Sequence, residues 1–265
     1  MSGAPEPCGM LSIDINCDMG ESTHLWPYHI EKDRLLLSYV SSINLACGYH
    51  AGDVRTMHEL AAAAIIAGVA IGAHPGFANR DNFGRTNMSL PPEAIYDLVL
   101  YQLGALDAFL KVMGTRLHHV KPHGALYNMA AKDDVMAEAI CKAIKDYDNR
   151  LLLYGLSGSK LIDAAKAMGL TAYSEVFADR TYQDDGHLTP RTHANALIAD
   201  TQQSLQQVLQ MVTRRTVTSV SGREVPIVAD TVCVHGDGER ALEIAREIKE
   251  ALVKNGIEVG SKLTS

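Results

Sequence analysis

Nowhere in the 265 residues do lysine and arginine gather into a run, and 24 basic residues are outnumbered by 31 acidic ones for a net charge of −7. The electrostatic footprint that nucleic acid demands is missing, so nucleic acid is excluded as a partner. No apolar stretch approaches the length of a membrane span, and the amino-terminal MSGAPEPCGM lacks a basic region followed by an apolar core. A membrane is therefore excluded as well, and the cytoplasm is the expected location. The five cysteines, Cys8, Cys17, Cys47, Cys141 and Cys233, are odd in number, scattered and without CxxC spacing. That pattern supports neither a disulfide framework nor a structural zinc knuckle, and reduced thiols are expected. GxGxxG and GxxxxGKS are both lacking, so a nucleotide fold has no motif behind it, and no HExxH marks a local metal site. No internal repeat is visible.

What the chain does have is 47% hydrophobic and 21% charged residues, enough for one full core and one domain spanning 1–265, with 1–10 as a Pro- and Gly-rich leader. Strand patterns fall at 11–18, 42–47, 69–73, 117–121, 151–155, 170–177 and 231–234. Helical spacing separates them. It is seen around 31–40, in 54–67 behind the good N-cap Asp53, in a long helix after Pro91 and Pro92 that carries Ile95, Leu98, Val99, Leu103, Leu106 and Leu110, and around 135–144. Further helices are expected after Ser159, over a stretch from Leu197 to Val212, and from Ala241 to a stop at Asn255 and Gly256. Residues 216–228 read as a loop or small hairpin. Strand and helix alternate about seven times without a linker, which predicts a parallel α/β domain, best a closed or nearly closed β/α barrel, with a doubly wound open sheet as the alternative.

The decisive regularity is positional. Asp18 and Glu21, His50 and Asp53, His74, Lys121 and His123, Glu175 and Arg180, and His235 and Asp237 all fall just after apolar runs. One such residue is ordinarily a cap or a satisfied polar group. Six strand ends repeating the pattern predict one shared mouth, because a barrel converges its strand ends there. On the first strand Asp14, Asn16 and Asp18 share a face that either is solvated or lines a polar site. The long polar segment from Ala178 to Arg191 is expected to cover the mouth, offering Arg180, Tyr182 and Arg191 as donors to a carboxylate.

Six motifs spread over nearly the whole chain, DINCDMGE at 14–21, NLACGYHAGD at 44–53, GAHPGF at 72–77, VKPHGALY at 120–127, EVFADRTY at 175–182 and VHGDG at 234–238, resemble in content and order the LamB/YcsF family, which includes one component of a 5-oxoprolinase. The resemblance implies a seven-stranded parallel β/α barrel like that of glycoside hydrolases and deacetylases. It further implies that the chain acts with two partner subunits to open 5-oxo-L-proline to L-glutamate at the expense of ATP, the partners using the ATP and activating the amide oxygen. A homo-oligomer is compatible with it.

Opening a resonance-stabilised lactam needs a base to aim water, cations for an anionic substrate and a proton donor. Asp18 or Glu175 is the candidate base, Lys121 and Arg180 the cations, and His50, His74 or His123 the donor or shuttle. Asn16, Glu21, Asp53, His235 and Asp237 complete the expected substrate contacts. Lys121 is expected to stay charged beside carboxylates, and Lys121→Met to fold but lose turnover. Two other readings stay open: a metal-dependent amide or sugar deacetylase holding a divalent ion on Asp18, His50 and His123, and a non-catalytic subunit that binds a small anion.

Overall fold

A computed structural model describes residues 11–23, 30–234 and 240–261. The elements run β1 (Ser12–Met19), α1 (Ile30–Leu36), β2 (Ser42–Ala46), α2 (Val54–Ala67), β3 (Ala70–His74), α3 (Pro92–Val112), β4 (His119–Val120), α4 (Gly124–Ala130), α5 (Asp134–Tyr147), β5 (Leu152–Leu156), α6 (Lys160–Ala167), β6 (Ala172–Phe177), α7 (Thr201–Arg214), β7 (Thr216–Thr218), β8 (Glu224–Pro226), β9 (Thr231–Cys233), α8 (Ala241–Lys254) and β10 (Glu258–Val259). Seven parallel strands, β1 to β6 and β9, lie side by side, and β9 pairs back onto β1 through Asp14↔Thr231 and Asn16↔Cys233. The sheet is thus a closed barrel and not an open doubly wound sheet. β10 adds a short parallel pairing at the start of β1, and β7 and β8 form the small hairpin.

The apolar side chains of the strands face outward. Ile13, Ile15 and Cys17 of β1, Ile43 and Leu45 of β2, and Val120, Leu153, Val176 and Val232 are all buried against the helices, where they meet Leu60, Leu103, Leu106, Ile140, Ile144, Val208, Ile248 and Leu252. This outer layer carries the hydrophobic stabilisation. The barrel interior takes the alternate residues, Asp14, Asn16, Ser42, Asn44, His119, Glu175 and Thr231, every one of them buried. The shared face of Asp14, Asn16 and Asp18 therefore lines a polar interior and is not a solvated face.

Helix starts follow local chemistry. Asp53 accepts from the backbone N–H of Arg55 and Thr56 at α2, Asp133 from Met136 at α5, Ser159 from Ile162 at α6 and Asp200 from Gln203 at α7. The Asp200 cap corrects one expectation: Leu197 and Ile198 precede α7, and Leu197 pairs in an antiparallel bridge with Arg180. A second omission is α4, a two-turn helix starting straight after His123. Among the described residues no helix is long and apolar enough to cross a membrane.

Candidate functional site

At the carboxyl ends of the strands, two groups of side chains meet. The first surrounds Lys121, whose ammonium lies 2.9 Å from Asp18 Oδ1 and 2.7 Å from Glu175 Oε1. It also donates to Asn16 Oδ1 at 3.2 Å and approaches Cys233 Sγ at 3.2 Å, with the Phe177 ring centroid 5.5 Å away. Lys121 is 2% exposed and Glu175 fully buried, so this is a desolvated ion pair with two carboxylates on one cation. Burial opposes the charge, but Asp18, Cys233 and Glu175 outweigh it and hold the Lys121 pKa well above its ordinary value. Tyr127, in the helix that follows His123, donates its hydroxyl to Glu175 Oε2 at 2.7 Å.

The second group is Glu21 with His50, His74 and His123, whose ligating atoms all lie within 4.8 Å of one another. Glu21 follows β1, His50 lies in the loop after β2, His74 ends β3 and His123 follows β4, so four consecutive strand ends each supply one. Glu21 Oε1 is 3.1 Å from both His50 Nε2 and His123 Nδ1 and 3.6 Å from His74 Nε2. His74 Nδ1 donates to the Lys121 carbonyl at 2.7 Å, and His123 Nε2 to that of Phe83 at 2.8 Å. The His50 and His123 rings stack at 3.7 Å, and Gly84, at φ 62°, makes the room: a Cβ there would sit 2.7 Å from that of His50. Burial, then the neighbouring His123, pushes His50 down to about 3, and burial also lowers His123. His74 is shifted up, since Asp18 outweighs its burial. The two groups touch where Asp18 Oδ2 lies 3.4 Å from His74 Nε2.

Beneath them runs a buried chain of hydrogen bonds. Asn44 Nδ2 donates to Asp18 Oδ1 at 2.8 Å and to Asn16 Oδ1 at 2.7 Å, while its own Oδ1 accepts from His119 Nε2 at 2.7 Å. Asn16 Nδ2 donates to Thr231 Oγ1 at 2.7 Å, and Thr231 and Ser42 both donate to Asp14 Oδ2. The His119 ring fits because residue 72 is glycine; a Cβ there would fall 2.1 Å from His119 Nε2.

This chain of bonds predicts an acid limb of stability. Burial first, then the charges of His118 and Lys121, hold His119 well below its ordinary pKa, whereas the unfolded chain protonates it near ~6.5. A depressed folded pKa means that the stabilisation is complete above about pH 6.5 and is lost progressively as the pH falls below it. His119→Gln, which retains a donor for Asn44, is expected to flatten that limb in urea titrations at stepped pH. An unchanged slope would clear His119 as its cause.

Other residues expected at the site do different work. Asp53 is exposed and caps α2. Arg180 is buried and donates to the Thr189 and Ala196 carbonyls at 2.6 and 3.3 Å, while the Tyr182 hydroxyl accepts from Phe177 N at 2.8 Å. Of the three donors expected in a cover over the mouth, Arg180 is thus spent on backbone carbonyls and Tyr182 is anchored to the end of β6, and the segment is also tied to the hairpin through Asp184, Ser219 and Ser221. Of the metal set expected from the sequence, His50 and His123 lie together, but Glu21 and His74 complete the group. Asp18 turns instead to Lys121 and Asn44, where a cation and an amide donor already meet its charge. His235 and Asp237, like the 1–10 leader, lie outside the described residues. Asn44, His119, Tyr127 and Cys233 join the site without having been expected there; the signal for His119 is its two-residue spacing from Lys121, and for Tyr127 its position one helical turn after His123.

Residues 13–264 match the LamB/YcsF family. The chain belongs to the LamB/YcsF family. Among its relatives, the A subunit of 5-oxoprolinase from Brevibacillus brevis is 53% identical over 253 residues, covering 96% of this chain and 99% of the relative. The protein of the same name from Geobacillus kaustophilus is 54% identical over 250 residues, covering 94% and 96%. The crystal structure of a lactam utilization protein from Thermus thermophilus superposes with a TM-score of 0.88 at 43% identity, covering 94% of this chain and 99% of that one. The LamB/YcsF barrel also shares its fold with a family 4 carbohydrate esterase from Streptomyces lividans, at a TM-score of 0.51 and 11% identity over 94% and 92% of the chains.

Proposed function

We propose that this chain is the ring-opening component of an ATP-dependent 5-oxoprolinase, converting 5-oxo-L-proline to L-glutamate together with two partner subunits that use the ATP. The observation that carries the reading is the Lys121 ammonium, charged, dehydrated and wedged between Asp18 and Glu175 at the barrel mouth, in a chain more than half identical to proteins named for that activity. Hydrolysis adds one water across the ring C–N bond, and a second water releases as phosphate the group that ATP supplies to the amide oxygen. The first water's oxygen bonds to the carbonyl carbon, one of its protons goes to a base, and the ring nitrogen leaves with a proton from an acid.

The two carboxylates divide the work. Glu175, fully buried and held by Tyr127 and Lys121, serves to fix the ammonium. Asp18 keeps 12% of its side chain exposed, so it takes the proton from water and returns it toward the leaving nitrogen. Lys121 meets the negative charge that grows on the carbonyl oxygen or on the group that activates it. Lacking a phosphate loop, the chain leaves nucleotide to its partners. The test is reconstitution with both partners, reading glutamate and ADP from 5-oxoproline and ATP. Glutamate only from the full set supports the reading; amide cleavage by the chain alone, without ATP, overturns it.

A further inference from the structure

The cluster of Glu21, His50, His74 and His123 has a geometric problem that hydrogen alone does not solve. A backbone carbonyl can only accept, so His74 carries its proton on Nδ1, facing the Lys121 carbonyl, and His123 carries its own on Nε2, facing that of Phe83. In the neutral rings, His74 Nε2 and His123 Nδ1 then both present lone pairs to each other at 3.0 Å. Glu21 Oε1, also an acceptor, is 3.1 Å from His123 Nδ1 and 3.6 Å from His74 Nε2. One added proton can bridge one of these contacts and leaves the others between facing lone pairs. A cation set among them satisfies all at once.

We propose that Glu21, His50, His74 and His123 bind one divalent transition-metal ion of the zinc type. Ligand bonds of about 2.0–2.1 Å in a tetrahedron place neighbouring ligand atoms about 3.3 Å apart; four of the six pairs here stand at 3.0, 3.1, 3.1 and 3.6 Å, and the two from His50 to the other histidines lie within 4.8 Å. Three imidazoles with one carboxylate suit zinc and its neighbours and are a poor set for magnesium or calcium, which take oxygen ligands. The carbonyls of Lys121 and Phe83 are the outer partners that usually fix the tautomer and tilt of a metal-bound histidine. His50, fully buried, contributes Nε2 at 3.1 Å from Glu21, while its Nδ1 finds no partner among the described residues. The ion site rests on these four side chains and not on the identity of the substrate, so it stands or falls apart from the 5-oxoprolinase reading.

The full chain, stripped with chelator and dialysed, is titrated with zinc by calorimetry, its metal content is measured, and cobalt is added to read visible d–d absorption. One zinc per chain, a cobalt spectrum typical of low coordination with nitrogen ligands, and a rise in Tm with zinc are expected. Glu21→Gln and His74→Ala should weaken binding by more than the ~10–100-fold that loss of an outer partner costs, while His193→Ala, outside the cluster, binds as wild type. Substoichiometric uptake by the wild type, an octahedral aqua-like cobalt spectrum, or wild-type affinity in Glu21→Gln overturns the site. Should the histidine variant fail to fold, wild-type stoichiometry and spectrum, with the isosteric Glu21→Gln, still decide.

Discussion

Lys121→Met is expected to cut glutamate formation by about 100-fold or more in the reconstituted complex, as loss of one preorganised electrostatic donor does, and to destabilise the chain by about 3–5 kcal/mol, as breaking a buried pair does. The sequence alone suggests that this variant folds, since methionine keeps much of the apolar stem of lysine. Burial changes that expectation. With the ammonium gone, Glu175, fully buried, retains only the Tyr127 hydroxyl against its charge among the described residues, and Asn44 and His74 are among the groups that still meet Asp18. Lys121→Met/Glu175→Gln should therefore recover much of the stability while turnover stays low. Urea unfolding and the glutamate assay on both variants separate the two effects. Turnover near wild type in Lys121→Met would end the proposed role, and a double variant no more stable than the single one would locate the destabilisation elsewhere.

Asn44→Asp, a change of one heavy atom, is expected to destabilise the chain by about 3–5 kcal/mol at neutral pH, the cost of an uncompensated buried charge. The Asn44 amide nitrogen donates to both Asp18 and Asn16; an oxygen in its place would turn both contacts into facing lone pairs and set a second carboxylate against Asp18. Like charges raise a carboxyl pKa, so the introduced group has a folded pKa above its unfolded one. Its charge is then worst tolerated at high pH, and the deficit relative to wild type should widen as pH rises through the folded pKa and narrow in acid. Urea unfolding across pH reads this directly. A deficit constant from neutral to acid pH would mean lost geometry, with charge playing no part.

Much of the fold is legible in the sequence because β/α barrels invert the usual reading of an amphipathic strand. In β1 the apolar members of the alternation, Ile13, Ile15 and Cys17, go to the helices, and the polar members go to the interior. Periodicity reveals which residues share a face; it does not say which face is wet. Strand ends are legible too, since a strand's carboxyl end fixes where a side chain lies without any knowledge of its partners. Partners are not. Arg180 and Tyr182 look like substrate donors, but whether a polar side chain reaches a ligand or a backbone carbonyl of its own loop depends on contacts such as that to Thr189, which only the folded segment defines. Glu21 and His74 each stand out in the sequence, yet their pairing with His50 and His123 arises from the curvature of the barrel, which no local pattern encodes. The start of α7 is misplaced by the sequence for a simpler reason: the apolar run from Leu197 continues smoothly into the helix, and the cap at Asp200 overrides it.

β4 is paired over only two residues on each side, through His119 and Val120. Its neighbours nevertheless hold the chain closely, with His118 N bonded to Ile71 O, Lys121 N to Ala73 O and His123 N to Pro75 O on one flank and Leu152 N to His118 O on the other. A slip of one residue would exchange the two faces, driving Val120 into the polar interior and Lys121 outward among the apolar helix contacts. This short segment is therefore the part of the barrel least able to absorb an insertion or deletion: losing one residue between α3 and β4 would dismantle both halves of the mouth, whereas the same change in the hairpin of β7 and β8 would leave every strand of the barrel in register.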